Sequence, residues 1–244
     1  MKDFNLKYKP FGERSILIEW PSKIEKSVLN DVLIFKNTLE NSNIKGLVEV
    51  KCAYSSILMS YHGAIEDVYG EVLMLKGYYE ARVAPNKSAF NLWKIPVCYE
   101  GKFGLDLQDI SLAKNMTETE VVRLHSEAIY TVYFIGFLPG FLYLGGLVET
   151  LYFPRKSTPR LRVEKGAVAI GGTQTGVYPN ESPGGWNVIG NSPISFFDVT
   201  KKEPCFAKPG DEIQFYAVSK SEYDDIKTLV DAGVYQMESE VIHD

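Results

Sequence analysis

Residues 136–147 read GFLPGFLYLGGL, a run with glycines, aromatic side chains and a proline but no charge. An apolar run of this kind favours a buried strand, but Pro139 and Gly140 interrupt strands. A surface turn accepts a Pro-Gly pair, but it does not need Phe141 and the other large apolar residues beside it. The stretch therefore predicts a sharp backbone bend whose aromatic side chains are buried, as in the wall of a pocket.

Short apolar segments separated by glycine and proline follow one another from residue 130 onward. They read YTVYFI, AVAIGG, VIGNSP, SFFDV and EIQFYAV. Short strands with this rhythm are typical of an all-β barrel or sandwich. A capping box at Thr117 and Glu120 predicts a helix before them, and SEYDDIKTLVDAG predicts a last helix that stops at Gly233.

The first ~85 residues instead have the pattern of a small α+β unit. The predicted elements are a strand in SILIEW, a helix opened by a capping box at Ser22 and Glu25, a hairpin in 46–62, a second helix, and a last strand in YEARVA. This β-α-β-β-α-β order is that of a ferredoxin-like layer. The polar segment 84–91 predicts a linker, so we expect one domain over 1–88 and a second over 89–244.

Composition and charge exclude several classes of protein. The chain has 244 residues, 45% of them hydrophobic and 23% charged, which is ordinary for a globular protein. Its net charge is -5 and it has no basic run, so neither nucleic acid nor a membrane is expected as a partner. No signal peptide and no apolar run of about 20 residues is present, which predicts a cytoplasmic location. Three scattered cysteines and three histidines predict no metal site.

His125 is the first candidate for chemistry. It lies on the apolar face of the predicted helix, together with Val121, Leu124 and Ala128. Two interpretations are open. His125 is either a core histidine held by a backbone carbonyl, or a group at the edge of a pocket that moves a proton.

Arg155 and Arg160 are the second candidates, and each follows a proline in YFPRKSTPR. Proline stiffens the chain, which lowers the entropy cost of aiming a guanidinium. Arginine is the usual clamp for a carboxylate or a phosphate. The alternative interpretation is a pair of surface arginines on a loop.

The segment 171–190, GGTQTGVYPNESPGGWNVIG, combines six glycines with polar and aromatic side chains. Glycine permits close approach of the backbone to a ligand, and tryptophan offers a stacking wall. The segment predicts a pocket for a small polar ligand, and a pair of tight β-turns is the alternative. The predicted substrate-binding residues are Gln174, Tyr178, Pro183, Gly184, Gly185, Trp186 and, from the opening stretch, Phe141.

Motifs for nucleotide binding and nucleophilic catalysis are absent. The chain has no G-x-x-x-x-G-K-[ST] loop, no G-x-G-x-x-G fingerprint and no G-x-S-x-G elbow.

Four longer strings occur in order along the chain and carry a family resemblance. They are H-x4-Y-x-V-Y-x-x-GFLPGF-x-YL-GGL from His125 to Leu147, PR-x3-PR-x-x-V at 154–163, G-x-VAI-GG-x-QTG-x-YP at 166–179, and SPGGWN-x-IG at 182–190. With them the chain resembles the allophanate hydrolase subunit 1 family. The resemblance is dense from 93 to 218 and looser before that.

The resemblance implies a fold, an activity and partners. The fold is α+β, with a small ferredoxin-like domain followed by a cyclophilin-like β-barrel. The activity is that of the B component of an ATP-dependent 5-oxoprolinase, a cyclic amide hydrolase that opens the 5-oxoproline lactam to L-glutamate, and this chain is expected to be inactive alone. The partners are an allophanate hydrolase subunit 2-like protein (the C component of the enzyme) and a LamB/YcsF-like protein (its A component). ATP would bind at, or be shared with, a partner, and His125, Arg155 and Arg160 would be the catalytic residues.

Two other functions stay open within the same resemblance. One is a KipI-like inhibitor of a sensor histidine kinase. The other is a carboxyltransferase-type subunit of a urea carboxylase/allophanate hydrolase system.

Overall fold

The computed structural model describes residues 3–84 and 89–243. The chain divides into two compact units, Met1–Ser88 and Ala89–His243, each with its own hydrophobic core. Both units combine helices with sheets that are mainly antiparallel, so the fold class is α+β. Within 3–84 and 89–243, no helix has the length and apolarity needed to cross a membrane.

The first unit contains a four-stranded antiparallel sheet and two helices. Its elements are β1 (Lys7–Pro10), β2 (Ser15–Glu19), α1 (Lys26–Glu40), β3 (Leu47–Ala53), β4 (Ser56–Tyr61) and α2 (Val68–Glu80). The sheet order is β1-β2-β4-β3. Ile16 and Ile18 of β2 and Ile57 of β4 are fully buried, in one cluster with Val32 and Phe35 of α1.

The predicted strand in YEARVA is wrong. Tyr79 and Glu80 are the last residues of α2, and Ala81 caps the helix. The position beside β2 belongs to β1, a strand that the sequence pattern does not predict. The observed order is therefore β-β-α-β-β-α, and the ferredoxin-like description is not confirmed. The predicted capping box at Ser22 is also wrong, because α1 begins at Lys26 without a side-chain cap.

The second unit contains an eight-stranded sheet, a separate strand pair and three α-helices among its described elements. These elements are β5 (Ala89–Val97), α3 (Leu107–Lys114), α4 (Glu118–Glu127), β6 (Ile129–Ile135), β7 (Leu142–Gly145), β8 (Arg160–Val163), β9 (Ala167–Gly171), β10 (Gln174–Val177), β11 (Ser182–Gly184), β12 (Asn187–Asn191), β13 (Glu212–Ala217), α5 (Lys220–Asp231) and β14 (Ser239–His243). The sheet order is β12-β9-β10-β7-β6-β13-β5-β14, and β8 pairs with β11.

The large sheet curves so that strands far apart in its order come together. Cys98, just after β5, and Asn191, the last residue of β12, exchange two backbone hydrogen bonds of 2.9 Å. Among the strands of 89–243, the ladders do not form a closed barrel, so the cyclophilin-like barrel stays a prediction. The buried core includes Val97, Ile170 and Phe215, which come from strands in different parts of the sheet.

The GFLPGF stretch forms the tip of the β6–β7 hairpin. Phe137 and Gly140 both have positive φ, of 69° and 84°. A Cβ atom on Gly140 would lie 2.7 Å from Cβ of Phe197, so this position accepts only glycine without a shift of its neighbours. The Phe141 ring is buried, whereas Phe137 is 61% exposed. The stretch is thus a sharp bend that buries an aromatic ring, as its composition predicts.

Other sequence predictions for this unit have mixed outcomes. Thr117 caps α4 by accepting a hydrogen bond from the Glu120 backbone N–H at 3.1 Å, and α5 ends just before Gly233, which has a φ of 72°. Both helix predictions are confirmed. The predicted strand in SFFDV is wrong, because Asp198 bends the chain by accepting hydrogen bonds from the N–H and hydroxyl of Thr200.

Candidate functional site

Four aromatic rings form a compact group that we call the Trp186 cluster. Its members are Phe141, Tyr143, Tyr178 and Trp186, and the contacting ring centroids are 4.7–5.8 Å apart. Phe141, Tyr178 and Trp186 are buried, and Tyr143 is half-buried. The opening stretch and the 171–190 segment therefore meet in three dimensions, as the pocket hypothesis requires.

The glycines of the 171–190 segment make room for these rings. A Cβ atom on Gly171 would lie 2.5 Å from the Trp186 indole, and one on Gly176 would lie 3.1 Å from it. A Cβ atom on Gly184 would lie 2.3 Å from the Tyr178 hydroxyl. At these three positions the backbone therefore comes close to aromatic side chains of the same chain, whereas the sequence pattern predicts close approach to a ligand.

Arg155 brings a positive charge to the cluster. Its guanidinium lies over the Trp186 ring, 5.5 Å from the ring centroid, and the residue is exposed. Burial raises the pKa of the Tyr143 hydroxyl, and the nearby Arg155 guanidinium partly offsets this rise. The same charge acts on Tyr178, whose pKa burial also raises. Arg155 is thus an accessible cation held against an aromatic wall, an arrangement suited to a small anion.

Arg160 has a different environment. Its two terminal nitrogens each donate to a carboxylate oxygen of Asp106 at 2.7 Å, which is the bidentate geometry of a strong ion pair. Lys156 Nζ lies 2.6 Å from the same carboxylate. Burial alone would raise the pKa of Asp106, but the hydrogen bonds from Arg160 and Lys156 outweigh it and hold the pKa below its usual value. The fork of Arg160 is therefore occupied by Asp106, a residue that no sequence motif singles out.

The remaining predicted binding residues lie at different depths. Gln174 is 8% exposed within β10. Pro183 is exposed, and Gly184 and Gly185 are half-buried. The carbonyl of Gly185 accepts a hydrogen bond from the Lys156 backbone N–H at 2.8 Å, which joins the end of β11 to the loop that carries Arg155.

His125 lies in the core, with both ring nitrogens hydrogen-bonded. Because the Thr175 hydroxyl donates to the Ala169 carbonyl at 3.1 Å, its oxygen accepts from His125 Nε2–H at 2.9 Å. His125 Nδ1 then accepts from the Tyr99 hydroxyl at 2.8 Å, and the ring stacks on Phe215. His125 is fully buried, and burial lowers its pKa from 6.5 to about 3. This geometry favours the core interpretation, with hydroxyl groups rather than a carbonyl as partners of the ring.

His125 should make the second unit sensitive to acid. The folded chain keeps His125 neutral down to pH 3, whereas the unfolded chain takes up a proton near pH 6.5. Stability is therefore lost as pH falls from 6.5 towards 3, and we expect the free energy of unfolding to drop by about 2 kcal/mol between pH 7 and pH 5. Urea unfolding at the two pH values measures this change.

The matched variants are His125→Gln and His62→Gln. His62 is exposed, so its replacement should keep the pH dependence, whereas His125→Gln should remove most of it. An equal pH dependence in wild type and His125→Gln would show that other groups cause the acid sensitivity.

A metal site is not evident in the part of the chain that the structure describes. There, no group of three or more His, Cys, Asp or Glu side chains is placed to hold an ion. The chemistry that the described site offers is a guanidinium, an aromatic wall and the neutral backbone groups of residues 183–185.

The fold and this site define the chain as an α+β protein whose larger unit presents an arginine over an aromatic cluster. A family model described as "Carboxyltransferase domain, subdomain C and D" matches residues 6–207. The chain belongs to this family.

The relatives of the chain carry two names. One relative, named as the B component of 5-oxoprolinase in Bacillus subtilis (strain 168), is 32% identical over 224 residues, which cover 87% of this chain and 92% of that protein. Its namesake in Escherichia coli O157:H7 is 49% identical over 122 residues, which cover 50% of this chain and 56% of that protein. "Urea amidolyase" of Saccharomyces cerevisiae is 23% identical over 96% of this chain, which matches 14% of that protein.

Among solved structures, TTHA0988 is similar with a TM-score of 0.72 and 30% sequence identity. The similarity covers 84% of this chain but 40% of TTHA0988. The shared region is thus less than half of that protein.

Proposed function

We propose that this chain is the B component of an ATP-dependent 5-oxoprolinase that opens the 5-oxoproline lactam to L-glutamate. The observation that carries the proposal is the similarity to the Bacillus subtilis 5-oxoprolinase component, which extends over 92% of that relative. The position of Arg155 over Trp186 supports it, because 5-oxoproline is a small anion with a flat ring.

The chemistry of the reaction explains why ATP is needed. A lactam is a stable amide, and its carbonyl oxygen becomes a good leaving group when it accepts the γ-phosphoryl group of ATP. ADP leaves, water attacks the ring carbon, and the adduct breaks its C–N bond to give the free amine and an acyl phosphate on the γ-carbon. A second water hydrolyses this acyl phosphate to the γ-carboxylate of glutamate and inorganic phosphate. In this scheme Arg155 binds the α-carboxylate of 5-oxoproline, and the Trp186 cluster forms the wall beside the ring.

The ATP and partner assignments follow from the same proposal. The chain has no nucleotide-binding motif, and the glycines at 171, 176 and 184 lie against aromatic rings. We therefore place ATP on a partner protein or in a site shared with one. The proposed partners are an allophanate hydrolase subunit 2-like protein (the C component) and a LamB/YcsF-like protein (the A component), which would make the enzyme a hetero-oligomer.

A second candidate function has an observation in its favour. The similarity to urea amidolyase covers 96% of this chain, at 23% identity. A carboxyltransferase-type protein that acts on urea or a related amide would bind it beside the same Trp186 cluster. It would not need Arg155 to bind a carboxylate, because urea has none. A role as a kinase inhibitor has no such observation and stays a prediction of the family resemblance.

Co-expression with its partners tests the proposed function. We expect the complex to release glutamate from 5-oxoproline in an ATP-dependent manner, while the purified single chain releases none that can be measured. Urea in place of 5-oxoproline tests the second candidate. Robust glutamate formation by the single chain, or ATP-dependent turnover of urea but not of 5-oxoproline by the complex, would contradict the proposal.

A further inference from the structure

We infer that Asp106 is a positioning residue that holds the Arg155 guanidinium over Trp186. Among the described residues, the Asp106 carboxylate does not contact Arg155 itself. Its hydrogen bonds and ion pairs are made with Arg160, Val188 and Lys156. Asp106 acts through the loop that carries Arg155 and through the strand that follows Trp186. The inference about position rests on the geometry alone, and its consequence for substrate binding rests on the proposed function.

The Asp106 carboxylate is buried and fully engaged. It is 1% exposed, just before α3, and accepts from both terminal nitrogens of Arg160 at 2.7 Å and from the Val188 backbone N–H at 2.7 Å. Lys156 Nζ is 2.6 Å away. A buried carboxylate with two cationic partners is stable in its charged form, and its removal would leave these partners without their counter-charge.

The first connection runs from Asp106 to the Arg155 loop. The two neighbours of Arg155 in sequence are both anchored. The Lys156 side chain binds Asp106, and its backbone N–H donates to the Gly185 carbonyl at 2.8 Å. The Pro154 carbonyl accepts from Nδ2 of buried Asn187 at 2.8 Å. The backbone on both sides of Arg155 is therefore fixed, and this reduces the conformational entropy that is lost when the Arg155 side chain binds an anion.

The second connection runs from Asp106 to the strand beside Trp186. Asp106 and Val188 are linked twice, because the Asp106 backbone N–H donates to the Val188 carbonyl and the carboxylate accepts from the Val188 N–H, each at 2.7 Å. Val188 lies in β12, which starts directly after Trp186. The Asp106 carboxylate thus anchors both the loop that carries Arg155 and the strand that follows Trp186.

Hydrogen exchange of the full chain tests the position of the loop without any enzyme assay. In Asp106→Asn, we expect the Lys156 backbone amide, which donates to Gly185, to exchange at least about tenfold faster than in the wild type. Glu181→Gln is the matched control. Glu181 pairs with Arg162 in an exposed ion pair 2.8 Å long, and its loss should leave the exchange of 153–160 unchanged.

Kinetics of the assembled complex test the consequence. Asp106→Asn should raise the KM for 5-oxoproline about tenfold and change kcat by less than about twofold, because a misplaced Arg155 binds the substrate less well but takes no part in bond breaking. In an Arg155→Met background, Asp106→Asn should raise KM by less than about twofold more, since the group that it positions is gone.

The hydrogen-exchange experiment and the kinetic experiment distinguish failure of the inference about Asp106 from failure of the proposed function. If the wild-type complex does not act on 5-oxoproline, the proposed function fails and the exchange result still decides the role of Asp106. Unchanged exchange of Lys156 in Asp106→Asn overturns the inference, and so does an additive effect of Asp106→Asn in the Arg155→Met background. If Asp106→Asn does not fold, Lys156→Met replaces it with the same expected direction, because it removes one anchor and leaves the Asp106–Arg160 pair intact.

Discussion

In the 5-oxoprolinase complex that we propose, we expect Arg155→Met to raise the KM for 5-oxoproline by about ten- to a hundredfold. A charge-assisted hydrogen bond to a bound anion contributes about 1.5–3 kcal/mol, which corresponds to one to two decades in affinity. Arg155→Lys should recover only part of this loss. Lysine keeps the charge, but it cannot offer two parallel donors or stack its head on the Trp186 ring as a guanidinium does.

Steady-state kinetics measure this effect, and thermal melts of each variant report whether the fold is kept. Arg162→Met is the control, because Arg162 is an exposed arginine of the neighbouring strand β8 whose ion pair with Glu181 lies at the surface. We expect wild-type KM in Arg162→Met. A wild-type KM in both Arg155 variants would show that Arg155 does not bind the substrate.

The second large effect concerns stability, where we expect Arg82→Met to destabilise the first unit by about 3–5 kcal/mol. Arg82 Nε donates to Asp31 Oδ1 at 2.8 Å, and both side chains are buried. Trp20 Nε1 and the Tyr79 hydroxyl each donate to the other oxygen, Oδ2, at 2.7 Å. Removal of Arg82 leaves the Asp31 carboxylate buried with neutral donors but without its cation.

Hydrogen exchange of peptides from α1 measures this loss, since Asp31 lies on that helix. The matched control is Lys36→Met on the same helix, which breaks an ion pair with Glu40 that is 2.6 Å long and partly exposed. Surface pairs of this kind contribute about 0–1 kcal/mol, so the control should differ little from the wild type. Equal protection of α1 in Arg82→Met and Lys36→Met would show that the buried network does not stabilise the unit.

Local sequence rules predicted the elements whose causes are local. The Thr117 cap needs only the N–H group three residues away, and the end of α5 needs only a glycine that can adopt positive φ. The alternation of buried residues in β2 and β4 is likewise visible in SILIE and SILMSY. These predictions depend on contacts within one turn or one strand.

Two of the errors, the strand predicted in YEARVA and the missed strand β1, have a different cause. Arg82 follows α2 and is drawn into the core by Asp31, which is 51 residues earlier in the chain, and no local pattern predicts that pairing. The strand β1 has one intermediate and three exposed residues, so it carries no apolar alternation, yet it pairs with β2 over its whole length. A strand of this kind is defined by backbone hydrogen bonds to a neighbour, which the side-chain pattern does not report.

Sequence patterns alone predicted an α+β pattern before a β-rich one, a bend in GFLPGF that buries a ring, and a candidate site in the Arg155 loop and the 171–190 segment. Which of these candidates is accessible depends on long-range contacts in the fold. In the folded chain, Arg160 forms a bidentate ion pair with Asp106, and His125 is buried between Tyr99 and Thr175. Arg155 is exposed and lies over Trp186. The physical reason is that a side chain's role depends on its hydrogen-bond partners and its exposure. Here the partner of Arg160 is 54 residues away and the two partners of the His125 ring are 26 and 50 residues away, so they meet only in the folded chain.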